Sequence, residues 1–318
     1  MAIKVVHYEH QGHPAWGVVH GNRIQPLSEA YPSTADFVQY GIKEAQDSIV
    51  SSASLCLSEV ILRSPITEDR QFICQGINYA SHVRESGMDP AKIGFNTIFT
   101  KASSSLASAH ADVVRPEHVR LLDYEIELGL VLRRPMTEPQ EIRHDTLHDW
   151  LAGVTIINDV SARDIQLPQT QFYKGKSYRT FGPAGPYLVL LNASEWSRWS
   201  ELHMRLQVNG NPRQDTYCGD MIFKPHRTLT ELSALQNLYP GDVIATGTPA
   251  GCAARAPGKL TMWILKHLIS EQEKWRMFIK KGTSNPAYLK PGDLMTASIR
   301  TDDGAIDLGE QRNRIVAP

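Results

Sequence analysis

The chain is poor in cysteine. Its four cysteines, Cys56, Cys74, Cys218 and Cys252, are far apart and form no Cys-x-x-Cys pair. That pattern excludes a disulfide framework and points to reduced structural thiols in a reducing compartment. Charge of either sign is not in excess: 33 Lys and Arg face 34 Asp and Glu, a formal net charge of -1. Such a balance carries no electrostatic footprint for nucleic acid. No apolar run is long enough to cross a bilayer, and the Met1–Tyr8 segment lacks the apolar core of a secretory signal. A cytoplasmic protein is the expectation. Also absent are a Gly-x-Ser-x-Gly elbow and a His-Glu-x-x-His zinc motif. Gly175-Lys176-Ser177 invites a phosphate-loop reading, but that loop needs a glycine where Thr170 stands.

What is present is strand texture and turn chemistry. Asn209-Gly210 follows Leu206-Gln207-Val208 as a tight-hairpin signal, and Gly21-Asn22 suggests another. Pro240-Gly241-Asp242 and Pro291-Gly292-Asp293 each precede an apolar run. Proline fits the first central turn position and glycine the second, where φ is positive. Many short strands with few long helical periods predict a mainly β fold with peripheral helices, an α+β class rather than a doubly wound sheet. Residues 1–65 read as a small N-terminal β-rich domain with a weak helix from Ala35 to Val50. Pro65 marks its boundary with a second domain over 66–318.

The most informative stretch is Leu121–Leu132. Its alternation predicts a strand with Leu122, Tyr124, Ile126, Leu128 and Leu130 on one face and Asp123, Glu125 and Glu127 on the other. Adjacent carboxylates repel and are costly to bury unpaired. Two readings follow: a solvated acidic face, or a site for a hard divalent cation held by oxygen. A second strand, Val154–Asn158, ends at Asp159, followed by Ser161, Arg163, Asp164 and Gln166. Asp159 is the natural third oxygen ligand to Glu125 and Glu127.

His82 and Glu85 are three apart, so on a helical turn they share a face. Glu could then orient His, and His could activate water; an exposed polar pair is the plainer reading. Lys176 suits a site cation for a carboxylate or a developing oxyanion. Thr246-Gly247-Thr248 offers hydroxyls and backbone N–H groups, or is a plain glycine turn. His7, His10, His13 and His20 suit a strand surface better than a metal site. Lys259–Lys281 alternates apolar residues, including Trp263 and Trp275, with an excess of lysine. It reads as one or two amphipathic helices packed on the protein or on a symmetry mate, with contact to a membrane surface as the second reading.

Taken in order, these segments resemble the fumarylacetoacetate hydrolase family. The resemblance rests on Gly76-Ile77-Asn78-Tyr79 with His82, Phe99-Thr100-Lys101, Asp123–Leu128, Asn158–Asp164 and Gly175-Lys176-Ser177. It continues through Gly182-Pro183, Gly185-Pro186, Val208-Asn209-Gly210, Asp220–Phe223, Pro240-Gly241-Asp242 and Thr246–Pro249. It implies a β-roll catalytic domain over 66–318, a homodimer and Mg²⁺, with Mn²⁺ or Ca²⁺ as alternatives. The implied metal ligands are Glu125, Glu127 and Asp159. The implied catalytic residues are His82, Glu85 and Lys176, with the His–Glu pair on a lid segment. Arg163, Gln166 and Thr248 match positions that line the substrate pocket, and Asp123 belongs to the motif without being a ligand.

The implied reaction is metal-dependent C–C hydrolysis of an acylpyruvate-type 2,4-diketo acid, in catabolism of aromatic compounds. Oxo-acid hydratases, isomerases and β-keto acid decarboxylases share the same motifs, and a non-catalytic binding protein on this fold is the reading from a different class. Two features depart from the family: Arg179, where relatives often carry Asp, and a helical insertion over about 252–287, where the family link is usually short.

Overall fold

The computed structural model describes residues 2–48, 54–255 and 269–318. Among the described residues two sheets dominate, and neither closes into a barrel. The larger has 13 strands. Its central run is Tyr187–Leu190, Leu151–Asn158, Ile126–Leu132, Val243–Ala245, Phe72–Gly76 and Thr97–Lys101. The N-terminal strands Ile3–His10 and His13–His20 extend it, because Val5 pairs with Leu188 and Val18 with Val5. The second sheet has five strands, with Leu294–Arg300 at its centre between His203–Val208 and Asp307–Val316. Helices among the described residues are few and short, and the expected α+β class is the one observed.

The predicted turns sit where glycine is required. Asn209 and Gly210 both take positive φ, 52° and 75°, and join two antiparallel strands. Gly241 and Gly292 are at 85° and 97°, each just before a strand. Only a residue without a Cβ adopts that region freely. The weak N-terminal helix runs over Thr34–Asp47 with a π-helical stretch at Phe37–Gly41.

His7 departs from the expected surface position. It is buried, stacks on Trp16 at 4.6 Å, and its Nδ1 lies 2.8 Å from the Ser64 carbonyl oxygen. Burial pushes its pKa below 6.5, opposed by the Ser64 hydrogen bond and assisted by the Arg63 charge. The unfolded chain therefore binds a proton on His7 before the folded one does, and stability falls as pH drops below 6.5. Thermal melts between pH 7.5 and 5.5 should show that fall, and His7→Asn should flatten it. An unchanged pH slope in the variant would remove His7 as a contributor.

Candidate functional site

The Leu121–Leu132 segment is not one strand. It breaks at Tyr124 and Glu125 into Leu122–Asp123, paired with Ser161–Ala162, and Ile126–Leu132, paired with Leu151–Asn158. The break lets the Glu125 carbonyl accept from the Asp159 amide at 2.8 Å, while Ile126 pairs with Asn158. Glu125 and Glu127, two apart, thus meet Asp159 across the strands. One oxygen from each lies within 4.8 Å of the others. Asp123, Glu125, Glu127 and Asp159 are all buried, so the solvated-face reading fails.

Buried carboxylates need partners. Lys176 Nζ bridges two of them, donating to Glu125 Oε2 at 2.6 Å and to Asp159, and also to Ser161 Oγ at 2.9 Å. Arg163 donates through Nε to Asp123 Oδ2 at 2.8 Å, through Nη2 to Glu125, and through Nη1 to Gln166 Oε1 at 2.8 Å. Lys101 Nζ lies 2.5 Å from Asp159 Oδ1. Burial opposes ionisation of Glu125, but Arg163 and Lys176 outweigh it and lower its pKa to about 2. Burial likewise disfavours the Lys176 ammonium, yet Asp159 and Glu125 hold its pKa above the usual lysine value.

Glu127 is the exception. Among the described residues no cation pairs with it, and its one donor is the Gly247 amide at 2.8 Å from Oε2. Burial, with Asp159 and Glu125 beside it, raises its pKa well above the carboxylate range. Among the described residues Glu127 is left without a cation, and Glu125, Glu127 and Asp159 together form an all-oxygen donor set that fits a divalent ion.

His82 and Glu85 lie on the helix Ala80–Glu85, as their spacing predicts, but they are not hydrogen-bonded. Glu85 Oε2 accepts from the Gly251 amide at 2.9 Å, and Arg255 approaches its other oxygen at 3.5 Å. His82 Nδ1 has no hydrogen-bond partner among the described residues. Burial lowers the His82 pKa, which keeps the ring neutral near pH 7 against the pull of Glu125. Ile77 takes φ 55°, a costly conformation for a β-branched residue. It turns Asn78 inward, where Nδ2 donates to the Thr246 carbonyl at 2.8 Å and Oδ1 accepts from the Phe223 amide at 2.7 Å. That plug fixes the helix entry against the Thr246–Thr248 loop. Thr248 spends its hydroxyl inside the fold, donating to the Ile126 carbonyl at 3.0 Å and accepting from Gln214 at 2.8 Å.

Residues 71–316 match the family model for the C-terminal domain of fumarylacetoacetate (FAA) hydrolase. The chain belongs to the fumarylacetoacetate hydrolase family. It is 38% identical over 246 residues to oxaloacetate tautomerase YisK of Bacillus subtilis, covering 76% of this chain and 71% of the relative. Among solved structures it resembles the fumarylacetoacetate hydrolase of the psychrophile Exiguobacterium antarcticum, at 28% identity and TM-score 0.71 over 99% and 100% of the two chains. It is equally close to a probable 2-hydroxyhepta-2,4-diene-1,7-dioate isomerase from Mycobacterium abscessus, at 27% and 0.72 over 100% and 99%.

On this family fold, three residues matter whose roles the motifs did not reveal. Asp123 accepts from the amides of Tyr124, Ala253 and Ala254 as well as from Arg163, so it staples the start of the insertion to the site. Gln214 seals the strand break, accepting from the Ile126 amide at 3.0 Å. Lys101 backs Asp159 from the far side. Asp123 and Lys101 stand in the quoted motifs and Gln214 in none, but most of their partners are distant in sequence, so the motifs do not show these contacts.

Arg179 is exposed, and the groups that set the Lys176 charge are Asp159, Glu125, Arg163 and Glu127 rather than Arg179. The described part of the insertion ends in the helix Glu271–Thr283, capped by Ser270. Phe278 and Ile279 pack on the main core, and a Cβ on Gly282 would come within 2.7 Å of Leu121. Residues 256–268, including Trp263 and the first part of the expected 259–281 helix, lie outside the described residues. Among the described residues no helix is long and apolar enough to cross a membrane.

Proposed function

We propose that this protein is a divalent-metal enzyme that interconverts keto and enol forms of a small 2-oxo acid by proton transfer. Glu125, Glu127 and Asp159 would hold the ion, with Mg²⁺ or Mn²⁺ suiting an all-oxygen site. Such an ion supplies Lewis acidity, stabilising negative charge on the keto oxygen of a 2-oxo acid. Lys176, held as an ammonium between Glu125 and Asp159, adds positive charge beside that oxygen. His82, neutral and with Nδ1 unengaged, accepts and returns the carbon-bound proton. Arg163 and Gln166, hydrogen-bonded to each other at 2.8 Å beside Glu125, would receive the carboxylate end.

The observation that carries this reading is that Glu85 is bonded to Gly251 and not to His82. A lone neutral imidazole suffices for proton shuttling, whereas hydrolysis also needs a nucleophilic water held and activated. The similarity to an oxaloacetate tautomerase supports the same reading.

Acylpyruvate hydrolysis is the second reading, favoured by the presence of His82 and Glu85 on one helix: a shift of that helix would release Glu85 to orient His82. The test is a panel of oxaloacetate and several acylpyruvates with metal-stripped and metal-loaded protein, products identified by mass. Metal-dependent loss of the enol signal without mass change, absent in His82→Ala, is the expected result. Pyruvate plus a free acid would replace it with the hydrolase reading. A homodimer belongs to the same proposal, and a monomer mass by light scattering would refute it.

A further inference from the structure

We infer that Arg255, at the start of the helical insertion, holds Glu85 off His82 and so selects proton transfer over hydrolysis; the chemical half of this rests on the function proposed above. Both oxygens of Glu85 face the loop 249–255. Oε2 accepts from the Gly251 amide at 2.9 Å, and Oε1 lies 3.5 Å from Arg255 Nε. Among the described residues Arg255 is the one cation paired with Glu85. Arg84, on the same helix, lies 3.9 Å from Asp220 instead. His82 is left with Nδ1 buried and without a hydrogen-bond partner among the described residues.

The loop is tied to buried groups. The Gly251 carbonyl accepts from the Tyr124 hydroxyl at 3.1 Å, and the Pro249 carbonyl from Gln214 Nε2 at 3.0 Å. Asp123 accepts from the Ala253 and Ala254 amides at 2.8 and 3.0 Å. With the loop fixed, the choice falls to the Glu85 side chain, which can lie on the loop or turn along its own helix toward His82, three positions back. On the loop it meets a permanently charged guanidinium; at His82 it meets a ring that burial keeps uncharged. The Arg255 side chain is 69% exposed, so the pair adds little to the fold. A shift between two side-chain positions needs only a small difference in free energy.

The consequence is chemical. With Glu85 on the loop, His82 is free to take up and return a carbon-bound proton. With Glu85 on Nδ1, the ring is fixed with Nε2 as the base that activates water. The oxygen of that water bonds to the distal carbonyl carbon of an acylpyruvate, and its proton passes to His82. The C–C bond breaks, its electron pair stays on the pyruvate enolate, and the enolate carbon takes the proton back. Arg255 acts through Glu85 and is a positioning residue.

The test uses the full chain with isotopically labelled histidine, the His82 ring resonances being assigned by their loss in His82→Asn. Arg255→Gln removes the attraction and Arg255→Glu reverses it. The His82 Nδ1 resonance should move progressively from wild type through Arg255→Gln to Arg255→Glu. Adding Glu85→Gln to the same chain should cancel the move, and Arg255→Lys should behave as wild type. A merely structural role gives no such ordered series. An Nδ1 resonance unmoved in folded Arg255→Glu overturns the inference, whatever the protein catalyses; if that variant does not fold, Arg255→Gln carries the same comparison. Product analysis with an acylpyruvate reads the chemistry separately. The ratio of hydrolysis to keto–enol exchange should rise about fivefold or more in Arg255→Glu. An Nδ1 resonance that moves while this ratio stays as in wild type, or a wild type that carries out neither reaction, would leave Arg255 as the residue that holds Glu85 and refute the proposed function instead.

Discussion

Asp159→Asn is expected to cost the metal-free fold about 3–5 kcal/mol, while Glu127→Gln leaves it as stable as before or more so. Both should abolish divalent-ion binding. The two carboxylates are neighbours in one donor set, yet their surroundings are opposite. Asp159 is the shared partner of Lys101 and Lys176, both buried, so its loss leaves two ammonium groups short of compensation. Breaking a buried pair from one side leaves the other charge stranded, which is the costly case.

Among the described residues no cation pairs with Glu127, and its like-charged neighbours Asp159 and Glu125 both act against its ionised form. A glutamine keeps an oxygen for the Gly247 amide and removes the repulsion. Urea denaturation of EDTA-treated protein measures the first effect and calorimetry the second. Equal destabilisation by the two substitutions would show that Glu127 is compensated in solution by a group outside this arrangement.

Gly251→Ala should cost about 2–4 kcal/mol and most of the catalytic rate, because here a clash and a strained backbone coincide. A Cβ at Gly251 would stand 1.9 Å from the Arg213 carbonyl oxygen, a backbone atom that cannot swing away, and φ is 107°. The loop must shift, and three contacts shift with it. The Gly251 amide releases Glu85, its carbonyl loses the Tyr124 hydroxyl at 3.1 Å, and the neighbouring Pro249 carbonyl loses Gln214 at 3.0 Å.

Gly12→Ala is the control. It has a comparable φ of 81° with open space around it, so only the left-handed penalty of about 1–2 kcal/mol applies. Thermal melts and initial rates on both variants separate the two effects. A Gly251→Ala enzyme with wild-type rate would mean that the Gly251–Glu85 contact has no part in turnover.

Much of the candidate site was visible in the chain because strand alternation and helical spacing are local. Glu125 and Glu127 stand two residues apart and their carboxylates meet, and His82 and Glu85 share a helical turn three residues apart. Asn209-Gly210 and the two Pro-Gly-Asp turns likewise carry their own backbone geometry. Other features were beyond any local pattern. The break at Tyr124–Glu125 is held by Gln214, 88 positions away, and the Asp159 cap comes from Lys101, 58 positions away.

Whether the acidic face was solvated or buried was equally open in the alternation alone. Packing of the strand Leu151–Asn158 and the surrounding core closed that question by excluding water from both faces. Local pattern thus settled the fold class and which carboxylates can meet. Long-range contact settled which of them are paired and that Glu127 is left uncompensated among the described residues. The reason is that the energy of a buried charge depends on partners that chain folding, rather than sequence proximity, brings within reach.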